Sequence, residues 1–345
     1  MALRLGVIGC GAVTHYCHLP ALKGISGIRV IALADEDPQA LDRARKRARR
    51  AMLLTPDDLI NRGDVDAVLV ATPSHTHAHL AARVLAAGKH LYLEKPIGIS
   101  AAEASSLRDI AASARGRVAV GFNRRLHPIY EIAADALRRG VVGTVRAVHT
   151  VFAERVDPEL MPHWKRARET GGGVLLDLAS HHVDLIRWLL RQDVALVSAT
   201  LASHRTAHDV ASMAYTLMDG TPVQGIYSFR SALADTIEVH GERGVMRIDR
   251  HRQRVTLTMR RRFGYGTRTT SLTRGVLASP LPRLRRALRP SLDPSYGAAW
   301  RAFIEHTQGV ATPIATMSDG LASLAVVLAA ELSASSGVPT APLRF

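Results

Sequence analysis

The N-terminal stretch constrains this chain most. Leu3–Gly9, L-R-L-G-V-I-G, is a short apolar run, and Gly9-Cys10-Gly11-Ala12-Val13 leads from it into a helical stretch to about Ala21. A strand, a glycine turn and a helix in this order suit a bound dinucleotide. The first glycine makes the turn and the second lets the backbone approach the pyrophosphate. The helix start at Ala12 and Val13 offers free N–H groups and the positive end of the helix dipole. The third glycine of that fingerprint is replaced by Thr14. A second apolar run, Arg29–Ala34, ends at Asp35, 24 residues beyond Gly11, where a carboxylate binds the adenosine ribose hydroxyls. Such a carboxylate disfavours a 2′-phosphate. NAD is therefore expected, with NADP as the alternative because Arg43, Arg45, Lys46 and Arg47 follow on a basic helix.

The alternation continues. Thr55-Pro56-Asp57-Asp58 has the form of a helix N-cap, and Asp66–Thr72 of a buried strand. Pro73–His79 carries His75, His77 and His79 at a strand end, where open parallel sheets bind ligands. The alternate spacing lacks Cys or acidic partners, so no metal is expected. Leu80–Ala87 is helical, and the strand His90–Leu93 delivers Glu94-Lys95-Pro96. A helix at Ala101–Ser113 and a strand at Val118–Phe122 close the pattern. The expected fold is α/β, with a doubly wound parallel sheet in a dinucleotide-binding domain at residues 1–122. Beyond it, a helix at Ile129–Arg139 precedes strands at Val145–Phe152, Val194–Ala202, Ser212–Met218, Val223–Ser228, Ala234–His240, Gly244–Ile248 and Val255–Met259. These imply a second, α+β domain at 123–345 with a mostly antiparallel open sheet. An exposed loop is expected at Pro280–Pro294, and closing helices at Ala298–Thr307 and Leu321–Ser333.

Composition narrows the class. A 345-residue chain with 47% hydrophobic and 22% charged residues suits a globular protein of two domains. Two cysteines, Cys10 and Cys17, make no disulfide framework, which fits a reducing cytoplasm. No apolar run approaches the ~18 residues of a membrane span. The net charge is +15, and thirteen Arg lie between Arg247 and Arg289 against one acid, Asp249. No nucleic-acid-binding motif accompanies that charge, so a solvated surface is expected and no nucleic acid partner.

The chemistry centres on Gly171–Asp184, G-G-G-V-L-L-D-L-A-S-H-H-V-D. Three glycines suit a turn close to a ligand. Leu175, Leu178, Ala179, Ile186 and Leu189 then recur at threes and fours, with Asp177, His181 and Asp184 on a second stripe. One helix face would set a carboxylate beside an imidazole, as acid–base catalysis requires; an ordinary surface pair has the same spacing.

Together, Gly9-x-Gly11, Glu94-Lys95-Pro96 and Gly171-Gly172-Gly173-x-Leu175-x-Asp177-x-x-x-His181 resemble the glucose–fructose oxidoreductase/inositol dehydrogenase/MocA family over nearly the whole chain. The resemblance implies a Rossmann domain, a C-terminal domain whose sheet supports homodimers or homotetramers, and a nicotinamide-dependent dehydrogenase. Its substrate would be a ring hydroxyl of a sugar, sugar nucleotide or cyclitol. It implies Lys95, Asp177 and His181 as the catalytic set. Thr72, Pro73, His77 and Glu94 would lie at the cofactor beside Gly9, Gly11 and Asp35. Asn123, Arg125, Trp164 and Lys165 would lie at the substrate. Leu126 replaces an aromatic residue, and Ala179 a glycine. His181, oriented by Asp177, would be the first choice of general base, with Lys95 on the same oxygen as the alternative group to take or share the proton. A non-catalytic dinucleotide-sensing protein of the same fold is the alternative.

Overall fold

Six parallel strands form the first sheet: β1 (Leu3–Ile8), β2 (Ile28–Ala34), β3 (Met52–Leu53), β4 (Ala67–Val70), β5 (His90–Leu93) and β6 (Val118–Val120), in the order β3-β2-β1-β4-β5-β6. The computed structural model describes residues 2–260, 266–273 and 293–345. All four residues of β4 are fully buried, as expected of a strand covered on both faces. Helices Pro38–Arg45, Pro56–Asn61, Ser74–Ala86 and Ala101–Ser113 make the crossovers. Side chains that accept first-turn N–H groups start three of them: Asp37, Thr55 and Ser100, the last in a capping box with Glu103. The strand order reverses between β1 and β4, the point at which such sheets take their ligands.

The chain divides into two compact units. The first holds the described residues of Met1–His127 and Leu284–Leu321, the second those of Pro128–Arg283 and Ala322–Arg344. This differs from the expected single cut after residue 122. The reason is a buried aromatic cluster. Trp300 and Phe303, on the helix Pro294–Thr307, pack against Tyr92 of β5 with ring centroids at 4.6 and 5.6 Å. Trp300 and Phe303 are fully buried and belong to the first unit's core. Ala315 bridges to Val120 at the sheet edge. A segment far along the chain thus completes the first core.

The second unit is built on an eight-stranded sheet, ordered β14-β13-β12-β11-β7-β10-β9-β8. Its strands are β7 (Val145–Ala153), β8 (Val194–Ala202), β9 (Val210–Leu217), β10 (Pro222–Ser228), β11 (Ala234–Gly241), β12 (Gly244–Asp249), β13 (Arg254–Arg260) and β14 (Thr267–Ser271). All neighbours run antiparallel except β7 and β10. Period-two patterning sets the faces: Val223 and Tyr227 point inward, while Gln224 and Ile226 are exposed. The helices Pro128–Arg138 and Ser180–Leu190 belong to this unit, the first lying against β12 and β13. Contrary to the expectation that no run approaches a membrane span, the helix Met317–Ser336 is the one described helix long and apolar enough to cross a membrane, and 61% of its apolar window is buried within the protein. The expected Pro280–Pro294 loop lies outside the described residues, apart from its last two.

Trp300→Ala is expected to destabilise the first unit by about 3–5 kcal/mol, the usual cost of emptying a large aromatic site. A lowered urea midpoint in equilibrium unfolding checks it.

Candidate active site

The glycine turn is held from one side and open on the other. Gly9 has φ +95°, and a Cβ there would lie 2.4 Å from the carbonyl oxygen of Ala71, just past β4. A Cβ on Gly11 would meet nothing within 4 Å, so the turn leaves that side open to a ligand. The buried Thr14 hydroxyl donates to the Gly9 carbonyl at 2.6 Å. That bond gives the non-glycine a place: it satisfies a carbonyl of the turn. The helix that follows is not the plain one expected, because Thr14–His18 forms a π turn before Leu19–Leu22. The partly buried Asp35 carboxylate accepts from the Cys10 N–H and, at 2.7 Å, from the Asp37 N–H. It therefore lies against the turn. The open face of Gly11, the helix start at Ala12 and Val13 and the Asp35 carboxylate fit a dinucleotide.

Glu94 sits differently from the cofactor-facing position expected of it. It is 9% exposed, and its carboxylate accepts from His18 Nε2 at 2.9 Å and from the Lys95 N–H at 3.2 Å. The Trp300 indole N–H reaches His18 Nδ1 at 3.2 Å, so His18 accepts at one nitrogen and donates from the other. Glu94 thus supports the backbone of Lys95, whose bond to Pro96 is cis. His18 and Trp300 were not legible as parts of this site. Nothing in the sequence pairs a first-helix histidine with residues 76 and 282 positions away.

His77 also turns inward. Its ring lies between the carbonyl oxygens of Thr72, at 2.8 Å, and Pro96, at 2.6 Å, and burial pushes its pKa down. It clips the loop after β4 to the loop after β5. His75 and His79 are exposed on the same helix, and Pro73 precedes that helix's first turn. Among the described residues no cluster of His, Cys, Asp and Glu could hold a metal ion. Asn123 donates to Ser295 at 2.8 Å, and the buried Arg125 pairs with Asp319 at 2.9 Å. Burial would push the Asp319 carboxyl up, but the Arg125 charge and hydrogen bond, with hydrogen bonds from Thr316, outweigh it and hold it below the ordinary value. Both side chains expected at a substrate therefore have internal partners within the first unit.

In the second unit the glycines serve the chain's own backbone. The Gly172 N–H donates to Ala167 at 2.9 Å, and a Cβ there would lie 2.3 Å from the Lys165 carbonyl oxygen. The close approach expected toward a ligand is made to this carbonyl. Next, Leu175–Ala179 is a π turn, followed by the α-helix Ser180–Leu190. The single expected helix is thus broken in phase between Asp177 and His181. Both remain partly exposed, whereas Asp184 is 1% exposed and does not share their face. Asp177 accepts from Lys165 Nζ at 2.8 Å, and that ammonium lies 5.4 Å from the Trp164 ring centroid. Arg166 binds the carbonyls of Met161 and Glu159 at 2.9–3.1 Å, and Arg168 pairs with Glu331 at 2.7 Å. The ring of His181 lies 6.5 Å from that of Phe152.

Residues 3–122 match the oxidoreductase family with an NAD-binding Rossmann fold, and residues 130–247 match the GFO/IDH/MocA C-terminal domain. The chain belongs to the Gfo/Idh/MocA family. It is an NAD-dependent oxidoreductase of that family. It is similar to the inositol 2-dehydrogenase of Rhizobium meliloti, at 29% identity over 341 residues and 96% of each chain. It is also similar to the 1,5-anhydro-D-fructose reductase of Ensifer adhaerens, at 28% identity over 346 residues and 97% of each chain. The solved WlbA dehydrogenase of Bordetella pertussis, in complex with NADH and UDP-GlcNAcA, shares the fold with a TM-score of 0.83 and 23% identity, covering 100% of this chain and 98% of that one.

Fluorescence titration of this Gfo/Idh/MocA protein is expected to show NADH bound more tightly than NADPH. Asp35→Ala should weaken NADH by about ten-fold or more, the loss of a charge-assisted hydrogen bond.

Proposed function

We propose that this enzyme interconverts a secondary ring alcohol and a ketone on a neutral cyclitol or free sugar. The observation that carries the choice of a neutral ring is the state of Arg125 and Lys165, expected at the substrate, and of the neighbouring Arg166. Arg125 is in a buried ion pair, Lys165 is on Asp177, and Arg166 is on backbone carbonyls. Recruiting any of them to a phosphate would take a hydrogen-bond donor from a carboxylate or a carbonyl that it now serves. The inositol and anhydrofructose enzymes among its relatives act on rings of the proposed kind by name.

Bound NAD supplies the acceptor for the hydride from the alcohol carbon. We assign His181 as the general base that takes the hydroxyl proton. Lys95 donates a hydrogen bond to the same oxygen as it becomes an alkoxide and then a carbonyl. Asp177 orients the acid–base group and holds Lys165 beside Trp164, which supports Trp164 and Lys165 as substrate contacts. Asn123 and Arg125 are assigned to tying segments of the first unit together. Glu94 and His77 are assigned to supporting Lys95 and the Thr72 loop, and Thr72 and Pro73 to lining the cofactor. We place the enzyme in the cytoplasm as a homodimer or homotetramer. The outer face of the eight-stranded sheet, where Leu196 and Ile226 are exposed, would be the contact. Light scattering that gives a monomer would remove the assembly.

Lys95→Ala and His181→Ala should each lower kcat on the order of 10²–10⁴-fold, the range for general acid–base groups, with NADH affinity unchanged. Near-normal turnover in both would overturn the assignment. KM for the sugar substrate should stay flat as salt rises, because a neutral ring gains nothing from screened charges. A steep rise would instead favour a sugar nucleotide.

A further inference from the structure

Beneath the helix that carries His181 runs a buried polar chain that the reaction above does not use. Asp235 on β11 lies 3.0 Å, through Oδ1, from Nε2 of His182. The other ring nitrogen of His182, Nδ1, meets the hydroxyl of Thr150 on β7. Thr150 in turn donates to the Thr236 carbonyl at 3.2 Å. The three side chains are 0–2% exposed. β7 and β11 are neighbours, and Asp235 stands opposite Phe152 in their register. The Phe152 ring stacks on His182, with centroids 5.1 Å apart and planes 25° apart, and it also lies 6.5 Å from the His181 ring.

Directional bonds at both nitrogens fix a ring in a way that apolar packing does not. The Asp235 carboxylate accepts from Nε2–H, and Nδ1 shares a hydrogen bond with the Thr150 hydroxyl, which can donate or accept, so both ring nitrogens are engaged. The ring is therefore held in one plane between two adjacent strands. Consecutive helical residues point about 100° apart around the axis. Pinning the side chain of His182 into the sheet consequently sets the roll of this helix turn, and with it the direction of His181. Phe152, stacked on His182 and 6.5 Å from the His181 ring, packs against both.

We propose that Asp235, His182 and Thr150 are positioning residues that hold His181 in its working orientation. This rests on His181 being the acid–base group. The test is steady-state kinetics with NADH binding on Thr150→Val, Thr150→Ser and Asp235→Asn, beside His181→Ala as reference. Thr150→Val keeps the side chain's shape and removes only the hydroxyl, so it tests the chain even if Asp235→Asn fails to fold. Thr150→Val and a folded Asp235→Asn should lower kcat on the order of ten- to a hundred-fold, as small displacements of catalytic groups do. NADH affinity and KM should hold, and Thr150→Ser should restore kcat. A purely structural role would lower the unfolding midpoint of Thr150→Val and leave kcat of the folded enzyme at the wild-type level; that result overturns the proposal. If His181→Ala is itself active, the reading of His181 falls and the proposal with it. If His181→Ala is inactive while Thr150→Val is normal, the proposal alone falls.

Discussion

The buried carboxylate of Glu94 is the contact on which the first unit's chemistry depends. A carboxylate placed in a protein interior must find donors, and Glu94 finds them in the His18 ring and the Lys95 N–H. The His18 ring is completed by the Trp300 indole, which is itself stacked on Tyr92. The first helix, the end of β5 and the Pro294–Thr307 helix are thereby joined at one point. The ammonium-bearing residue, Lys95, is tethered to that point by its backbone. The clip made by His77 between Thr72 and Pro96 acts on the same loop from the other side.

The second unit solves a related problem with other means. Asp177 and His181 must stand at the start of a helix whose remaining face is buried. The chain achieves this with a π turn over Leu175–Ala179 and with a glycine turn fitted against Lys165 and Ala167. The wide turn shifts the helical phase, so residues four apart do not sit as an ideal α-helix would place them. The Lys165–Asp177 pair then links the segment before the glycines to the residue after them.

Part of the basic character of the chain is met by local pairing among the described residues. Arg247 binds Glu238 across adjacent strands, Arg168 binds Glu331, and Arg187 binds Asp193. Exposed pairs such as Arg247–Glu238 contribute little stability, roughly 0–1 kcal/mol each, whereas Arg168 and Glu331 are only 20% and 17% exposed.

The parallel-sheet unit, the antiparallel strands and the three motifs were legible in the sequence because each rests on local periodicity or local backbone chemistry. Alternation at two, recurrence at three and four, and glycine at a turn depend on near neighbours. The strand order, the parallel pairing of β7 with β10 and the edge strand β14 depend on distant ones and were not legible. Neither was the return of Trp300 to the first core, which moves the domain boundary. The sites divide in the same way. Gly9, Gly11, Asp35, Lys95, Asp177 and His181 stood out by motif, and their types suit the chemistry assigned to them. The internal partners of Arg125, Asn123, Glu94 and His77 emerged only from tertiary structure, as did the His182–Asp235–Thr150 chain. Sequence determines which chemical groups are available at strand ends and helix starts. Whether such a group faces a ligand or is held by another side chain depends on what the fold brings within about 3 Å of it, the reach of a hydrogen bond.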